Sequence, residues 1–265
     1  MASIDKNVQS WPNGVIPFVI SEDFKEGTQE FTQIALAINE YNIRTNVRFI
    51  ARTNEPDFVV FRNGSSGWCS SFVGKQGGEQ SINCYLVGRQ YSAGNLIHEI
   101  MHMIGFHHEH QRSDRDEYVS IDYSNVKRTF DFNKLDCQNL TAYDYGSIMH
   151  YPSIIANTNL VNDPNKRTLV ALKPLELETI LGQRGKLSFK DIEGINALYP
   201  KAADVEPVIF KTLETAQATN RIIIIITLSI ASPSSSSHQP DQLSALPAAI
   251  IHKPSRPCKH HDACK

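Results

Sequence analysis

The chain carries almost no net charge: 26 Lys and Arg against 28 Asp and Glu leave −2 over 265 residues. No Lys/Arg patch with interleaved aromatics appears, so the sequence lacks the footprint of a nucleic-acid binder. Neither a dinucleotide nor a P-loop glycine fingerprint is present, and no nucleotide cofactor is expected. The apolar stretch Ile222 to Ala231 is too short to cross a bilayer, so no membrane span is expected. Met1 to Ser10 is polar and has no apolar core of a signal peptide. Internal repeats are absent. What remains is 41% hydrophobic and 20% charged residues, ordinary for a globular protein and enough for one mid-sized domain with a substantial core.

Within that composition, His98-Glu99-Ile100-Met101-His102-Met103-Ile104-Gly105-Phe106-His107-His108-Glu109 carries chemistry. On a helix, His98 and His102 lie one turn apart and project from the same face, where both imidazoles can grip one zinc ion. Glu99, beside the first ligand, is angled to reach water at the metal rather than the metal, which is the place of a general base. A helix continuing straight would carry His108 away. Gly105 can take the positive φ that ends a helix and turns the chain back, bringing His108 in as third ligand. Three protein nitrogens leave a position open, which marks a catalytic rather than a structural zinc site.

The run from His98 to Asp116, together with Ser147-Ile148-Met149-His150-Tyr151, resembles the astacins, a branch of the metzincin zinc endopeptidases. The likeness extends more loosely from Trp11 to about Tyr199, and Glu109 after the third ligand is the choice of that branch. The resemblance implies that Met149 packs beneath the zinc as a soft, adaptable residue. It also implies that Tyr151 is a further, weakly held zinc ligand through its phenol oxygen. By the same resemblance Glu99 relays the proton from water to the leaving amine, and Tyr151 stabilises the oxyanion. His107, His110 and His150 stand nearby, but the matching positions are not ligands, and packing or supporting polar contacts are expected of them. Glu109 is expected to contact the amine of a mature N-terminus, which Ala2 would supply if Met1 were removed. Gly182-Gln183-Arg184 resembles a segment near the pocket for the residue after the scissile bond. There Arg184 would favour acidic substrates, unless it is an ordinary surface arginine.

The resemblance also places a disulfide at Cys69 and Cys84, closing a short loop near the cleft. A second bridge common in the family would tie the segment near Asn46 to the chain after Tyr199. Neither Asn46 nor Lys201 to Ala203 offers sulfur, so the C-terminal helix is expected to be held by packing alone. Cys137 is expected to be buried and unpaired. For Cys258 and Cys264 two readings stand, local pairing or, with His260 and His261, a loose metal-binding end. Secretion is implied by the family, and Asn63-Gly64-Ser65 and Asn139-Leu140-Thr141 would then be glycosylation acceptors. The aspartate-bearing propeptide motif of astacin zymogens is absent from these residues. The chain therefore reads as a mature or incomplete form, or as one made without latency.

Strands are expected at Val15 to Ile20, Val47 to Ile50 and Phe58 to Phe61. Phe31, Ile34, Ala35, Ile38 and Tyr41 recur at helical spacing. Ser81 to Val87 reads as an edge strand able to pair with extended substrate. Ser92 can cap the helix bearing His98 and His102, and Ser188 can cap a last helix with Ile192, Ile195 and Leu198 as its stripe. After Pro200, five isoleucines at Ile222 to Ile226 and the serines at Ser234 to Ser237 suggest a linker-like tail. The expectation is an α+β, two-lobed, astacin-like catalytic domain over 1–200 and an unstructured tail over 201–265. The N-terminal lobe would hold a twisted mixed sheet and the active-site helix, and the C-terminal lobe would be loop-rich. One Zn²⁺ would be held by His98, His102, His108 and Tyr151, with Glu99 and Tyr151 catalytic in a monomer acting on proteins or peptides. Two other readings are a binding protein using the fold without catalysis and a zinc hydrolase acting on non-protein substrates.

Overall fold

The computed structural model describes residues 3–64, 69–84, 92–214 and 224–229. In chain order its strands and helices are β1 (Ser3–Asp5), β2 (Val15–Ile20), α1 (Gln29–Arg44), β3 (Arg48–Ala51), β4 (Phe58–Asn63), β5 (Glu79–Cys84) and α2 (Ala93–Met103). There follow β6 (Val119–Ile121), β7 (Cys137–Asn139), β8 (Leu169–Ala171), α3 (Phe189–Leu198), β9 (Ile209–Glu214) and β10 (Ile224–Ser229).

The N-terminal lobe is a four-stranded sheet in the order β3-β2-β4-β5 with α1 and α2 packed against each other beside it. Every named pair in this sheet is parallel, and parallel neighbours need a crossover, which α1 supplies between β2 and β3. The expected mixed character reduces, among the described residues, to one antiparallel bridge between Ser70 and Asn83. β4 is apolar on both faces, with Val59, Val60 and Phe61 buried, as a strand inside a parallel sheet must be. Thr28 caps α1 by accepting from Phe31 N, and Phe31, Ile34, Ala35, Ile38 and Tyr41 turn inward together. Tyr41 donates its hydroxyl to Ile97 O at 2.6 Å, fixing α1 against α2.

Ser92 stands at the N-cap of α2 but its side chain makes no capping bond. Gln33 of α1 does that work, accepting from Ala93 N at 2.6 Å, so a tertiary contact replaces the expected local one. Gly94 lets this helix start press on the 182–185 loop, since a Cβ there would lie 1.7 Å from the Arg184 carbonyl oxygen.

The C-terminal lobe has its own small core of Val126, Phe132, Tyr151, Ile155, Leu160, Val161 and Leu169. Met149 belongs to the larger core of the sheet and helices. Two residues apart, Met149 and Tyr151 therefore anchor the chain in different lobes, and the cleft lies at that seam. At α3 the expected cap is present as a full capping box between Ser188 and Asp191.

Three further expectations change. First, the edge of β5 is not open at Asn83, because Ser70 exchanges two 2.9–3.0 Å backbone bonds with it; Tyr85 to Val87 lie outside the described residues. Second, Cys69 and Cys84 sit opposite each other beside that bridge but form no disulfide, and the Cys84 thiol lies 3.7 Å from Ile82 O. Cys137 is buried without a disulfide, while Cys258 and Cys264 lie outside the described residues.

Third, the folded unit does not stop at Pro200. Val208 N donates to Phe49 O at 2.9 Å, and Asn42 bridges Phe49 N to Val208 O at 2.7 Å each. Asn39 pairs with both backbone groups of Phe210, at 2.8 and 3.0 Å, as a neighbouring strand would. The Phe210 ring packs edge-on against Phe31 at 5.7 Å. Where the resemblance expects a bridge, Asn46 donates to Tyr199 O at 2.9 Å and its own N–H goes to Asn196 Oδ1 at 2.8 Å. The C-terminal helix is thus held by hydrogen bonds as well as packing.

Because Phe210 is buried in the main core, Phe210→Ala should cost about 3–5 kcal/mol. Truncation after Pro200 should lower the denaturant midpoint at least as far; an unchanged midpoint in the truncated chain would show that 201–214 lies outside the cooperative unit.

Candidate metal centre

His98 and His102 lie one turn apart on α2, and Gly105, at φ 116°, reverses the chain so that His108 returns to them. His108 Nε2 lies 3.2 Å from His102 Nε2 and 3.3 Å from His98 Nε2. All three rings are buried. The opposite nitrogens are each occupied. His98 Nδ1 donates to Ile148 O at 2.8 Å, His102 Nδ1 to Phe106 O at 2.7 Å and His108 Nδ1 to Gln111 Oε1 at 3.1 Å. A carbonyl oxygen can only accept, so the proton sits on Nδ1 and the Nε2 lone pair faces inward.

Three lone pairs converging in a buried space repel unless a cation lies between them. Tetrahedral zinc at 2.0–2.1 Å from each nitrogen sets them about 3.3 Å apart, which is the spacing of His108 Nε2 from its two neighbours. This group can hold one metal ion, and among the described residues it is the only cluster of its kind.

The second segment arrives through α3. Asp191, fully buried, accepts from Ser147 Oγ at 2.7 Å, Ile148 N at 2.9 Å and Ser188 N at 2.9 Å. The residue that closes the capping box therefore also holds the turn whose Ile148 carbonyl orients His98. Glu109 N donates to Met149 O at 3.0 Å, locking that turn to the one carrying His108. The Glu109 carboxylate is buried near Arg112 at 3.5 Å and accepts from Asp144 N at 2.9 Å. Ala2, its expected partner, lies outside the described residues.

Glu99, Tyr151 and Arg184 line a cavity of about 260 Å³ with His98, His108 and Leu160. Ser71 fixes the Glu99 backbone by donating to its carbonyl at 2.8 Å, while the Glu99 carboxylate oxygen Oε2 is buried with no hydrogen-bond partner. Burial pushes the Glu99 carboxyl up to about 8, against the pull of the Arg184 guanidinium. Arg184 donates to His150 O at 3.2 Å. The Tyr151 ring meets His108 at 4.7 Å and His110 at 4.1 Å. His150 stands behind, Nδ1 on Tyr151 O at 2.6 Å and Nε2 taking the Tyr143 hydroxyl at 2.8 Å. His107 lies apart from the triad, beside a second cavity lined by Val8 and Lys75. Sequence reasoning missed Gln111, three residues after His108 in the same turn, and Ser71, which carries no local signal.

A family model described as Astacin, a peptidase family, matches residues 3–200. The chain is 37% identical over 212 residues to zinc metalloproteinase nas-8 of Steinernema carpocapsae, covering 76% of this chain and 48% of that one. It is 40% identical over 191 residues to high choriolytic enzyme 2 of Oryzias latipes, covering 70% and 63%. The solved structure of high choriolytic enzyme 1, a hatching enzyme zinc-protease from the same fish, superposes with TM-score 0.63 at 36% identity, over 73% of this chain and 94% of that one. The chain spans about half the length of the curated relatives it matches.

Burial holds His102 and His110 down to about 3 and His150 to about 4, and lowers His98 and His108 well below 6.5. From pH 6.5 down to about 4 the unfolded chain takes up protons that these folded histidines refuse, so stability falls with pH in that window. Glu99 and Glu109, raised from 4.5 to about 8 and about 7 by burial, act in the opposite sense from about 4.5 up to those values; below 6.5 the five histidines outweigh them, and above it the carboxyls prevail. Metal-free protein should therefore unfold at its highest temperature near pH 6.5 and lower on both sides; a midpoint rising steadily from pH 6.5 to 4 would contradict buried neutral histidines.

Proposed function

The chain belongs to the astacin family of peptidases, and from that premise we propose that it is a zinc-dependent endopeptidase cleaving internal bonds of proteins, with Glu99 as general base and Tyr151 as oxyanion donor. The observation carrying this reading is the convergence of three imidazole lone pairs beside a buried carboxylate oxygen without a partner. His98, His102 and His108, with Tyr151 as a further ligand, would hold the zinc, which would supply the Lewis acidity that lowers the pKa of water and polarises a carbonyl. Glu99 takes the proton of the attacking water and passes it to the leaving amine. Its environment suits both halves of that task, since burial favours the protonated form while Arg184 favours the ionised one. Tyr151 gives its hydroxyl to the developing oxyanion.

Extended substrate is expected to lie as an added strand along Cys69–Ser71, which covers β5 at Asn83 and brings Cys69 to the cavity wall. Arg184, also on that wall, favours an acidic residue after the scissile bond. A secreted, monomeric enzyme is the setting that fits the family.

Two measurements test the reading. One zinc per chain and casein hydrolysis, with Glu99→Ala lowering kcat by ~10²–10⁴-fold while keeping its zinc, would support it. Stoichiometric zinc in an inactive, folded wild type would instead indicate a binding protein. For specificity, kcat/KM for peptides with Asp rather than Ala after the scissile bond should be higher by roughly 10-fold, and Arg184→Gln should remove that preference. Equal rates for the two peptides in the wild type would remove Arg184 from the pocket's role.

A further inference from the structure

Tyr151 is framed by rings on several sides. His110 lies against its phenol face, centroids 4.1 Å apart with planes 32° from parallel, and Phe132 meets it edge-on at 6.0 Å and 87°. His110 is itself held from two directions. Its Nε2 donates to Asp131 O at 3.0 Å, and its carbonyl accepts from Arg115 Nη1 at 2.8 Å. The same guanidinium nitrogen donates to Phe132 O at 2.7 Å, so one arginine ties the backbones of His110 and Phe132, whose rings meet Tyr151 alongside that of His108.

As simple filler, histidine is a costly choice here. The side chain has no solvent exposure, and its Nδ1 is buried with no hydrogen-bond partner. An apolar ring would fill the same space without that penalty. What the histidine adds is an orientation: the bond to Asp131 O fixes the ring plane, and the plane lies on Tyr151.

We propose that His110 is a positioning residue that fixes the plane of the Tyr151 phenol by stacking on it, so that the hydroxyl slides within that plane between the histidine triad and the substrate oxyanion. The proposal rests on the reading of Tyr151 as oxyanion donor. A face contact on one side and an edge contact on another oppose swinging of the ring and leave in-plane sliding as the low-cost motion. A hydrogen-bond donor that misses its target by a fraction of an ångström loses much of its effect on rate.

The test separates the ring of His110 from its anchor. His110→Gln can still donate to Asp131 O but has no ring; His110→Phe keeps a ring and lacks the anchor. On the zinc-loaded enzyme with a peptide substrate, Tyr151→Phe should lower kcat by ~10²-fold. His110→Gln should lower kcat by ~10-fold with KM unchanged, His110→Phe should recover most of that, and His110→Gln should cost nothing further in the Tyr151→Phe background. A readout independent of activity is the ring-carbon NMR signal of Tyr151 in metal-free, tyrosine-labelled protein, assigned by its absence in Tyr151→Phe. It should move in His110→Gln and stay near its native position in His110→Phe.

A His110→Gln loss that persists in full without the Tyr151 hydroxyl, or a failure of His110→Phe to recover activity, would overturn the proposal while leaving the role of Tyr151 standing. A silent Tyr151→Phe would overturn both. If His110→Gln does not fold, the folded His110→Phe protein decides alone: a native Tyr151 signal with near-native kcat supports the stack, and a displaced signal with kcat down ~10-fold or more overturns it.

Discussion

Three imidazoles with their lone pairs turned inward, His108 Nε2 lying 3.2 Å from that of His102 and 3.3 Å from that of His98, form an arrangement that local contacts alone do not sustain. Each ring needs an acceptor behind it to keep the proton on Nδ1, and each acceptor comes from a different place. Phe106 O is presented by the reversal at Gly105, Gln111 by the turn after the third histidine, and Ile148 O by a segment about fifty residues away. The last is the demanding one, because it obliges the C-terminal lobe to deliver a single carbonyl to α2. Asp191 meets that demand by capping α3 and gripping Ser147 and Ile148 with the same carboxylate. The start of α3, the 147–148 turn and His98 are thereby one hydrogen-bonded unit.

Burial is what gives this unit its chemical character. It keeps the histidines neutral, so a cation meets lone pairs rather than protons. The same low-dielectric setting keeps the Glu99 carboxyl up at about 8 even beside Arg184, and a bound metal would add the positive charge that favours its ionised form. On the proposed reading, Glu99 would become competent as a base in the company of the metal. The seam between the two hydrophobic cores makes this possible, since Met149 anchors in one and Tyr151 in the other, leaving an opening where the lobes do not interlock.

Features set by short-range spacing were legible in the sequence. His98, Glu99, His102, Gly105 and His108 lie within eleven residues, and their geometry follows from one helical turn and one chain reversal. Ser188 with Asp191 three residues later is a local signature as well, and the structure contains it. What was not legible depends on which distant segments meet. Ser92 is a plausible cap by type, but Gln33 occupies the place because α1 packs across the start of α2. Ser81 to Val87 alternates like an edge strand, yet Ser70 covers it at Asn83. The tail after Pro200 looks like a linker by composition, while two residues of it, Val208 and Phe210, find partners on α1 and β3.

Those two residues bear on how the fold manages without the covalent tie that the family resemblance leads one to expect near Asn46. A disulfide acts mainly on the unfolded chain by removing its freedom. The asparagine side chains at 39, 42 and 46 act on the folded chain instead, satisfying backbone groups of residues 199, 208 and 210 that would otherwise be buried without partners or left to water. Such bonds are worth about 1 kcal/mol each in net terms, so their weight is cooperative: they hold only while Phe210 is seated on Phe31. A domain tied this way would lean harder on a bound metal. Zinc held by residues of α2 and of the reversal after it, with Ile148 O of the second segment behind His98, would link the two lobes in the folded state alone and stabilise them by mass action. In such a chain the proposed ion would take a structural share that a disulfide would otherwise have carried.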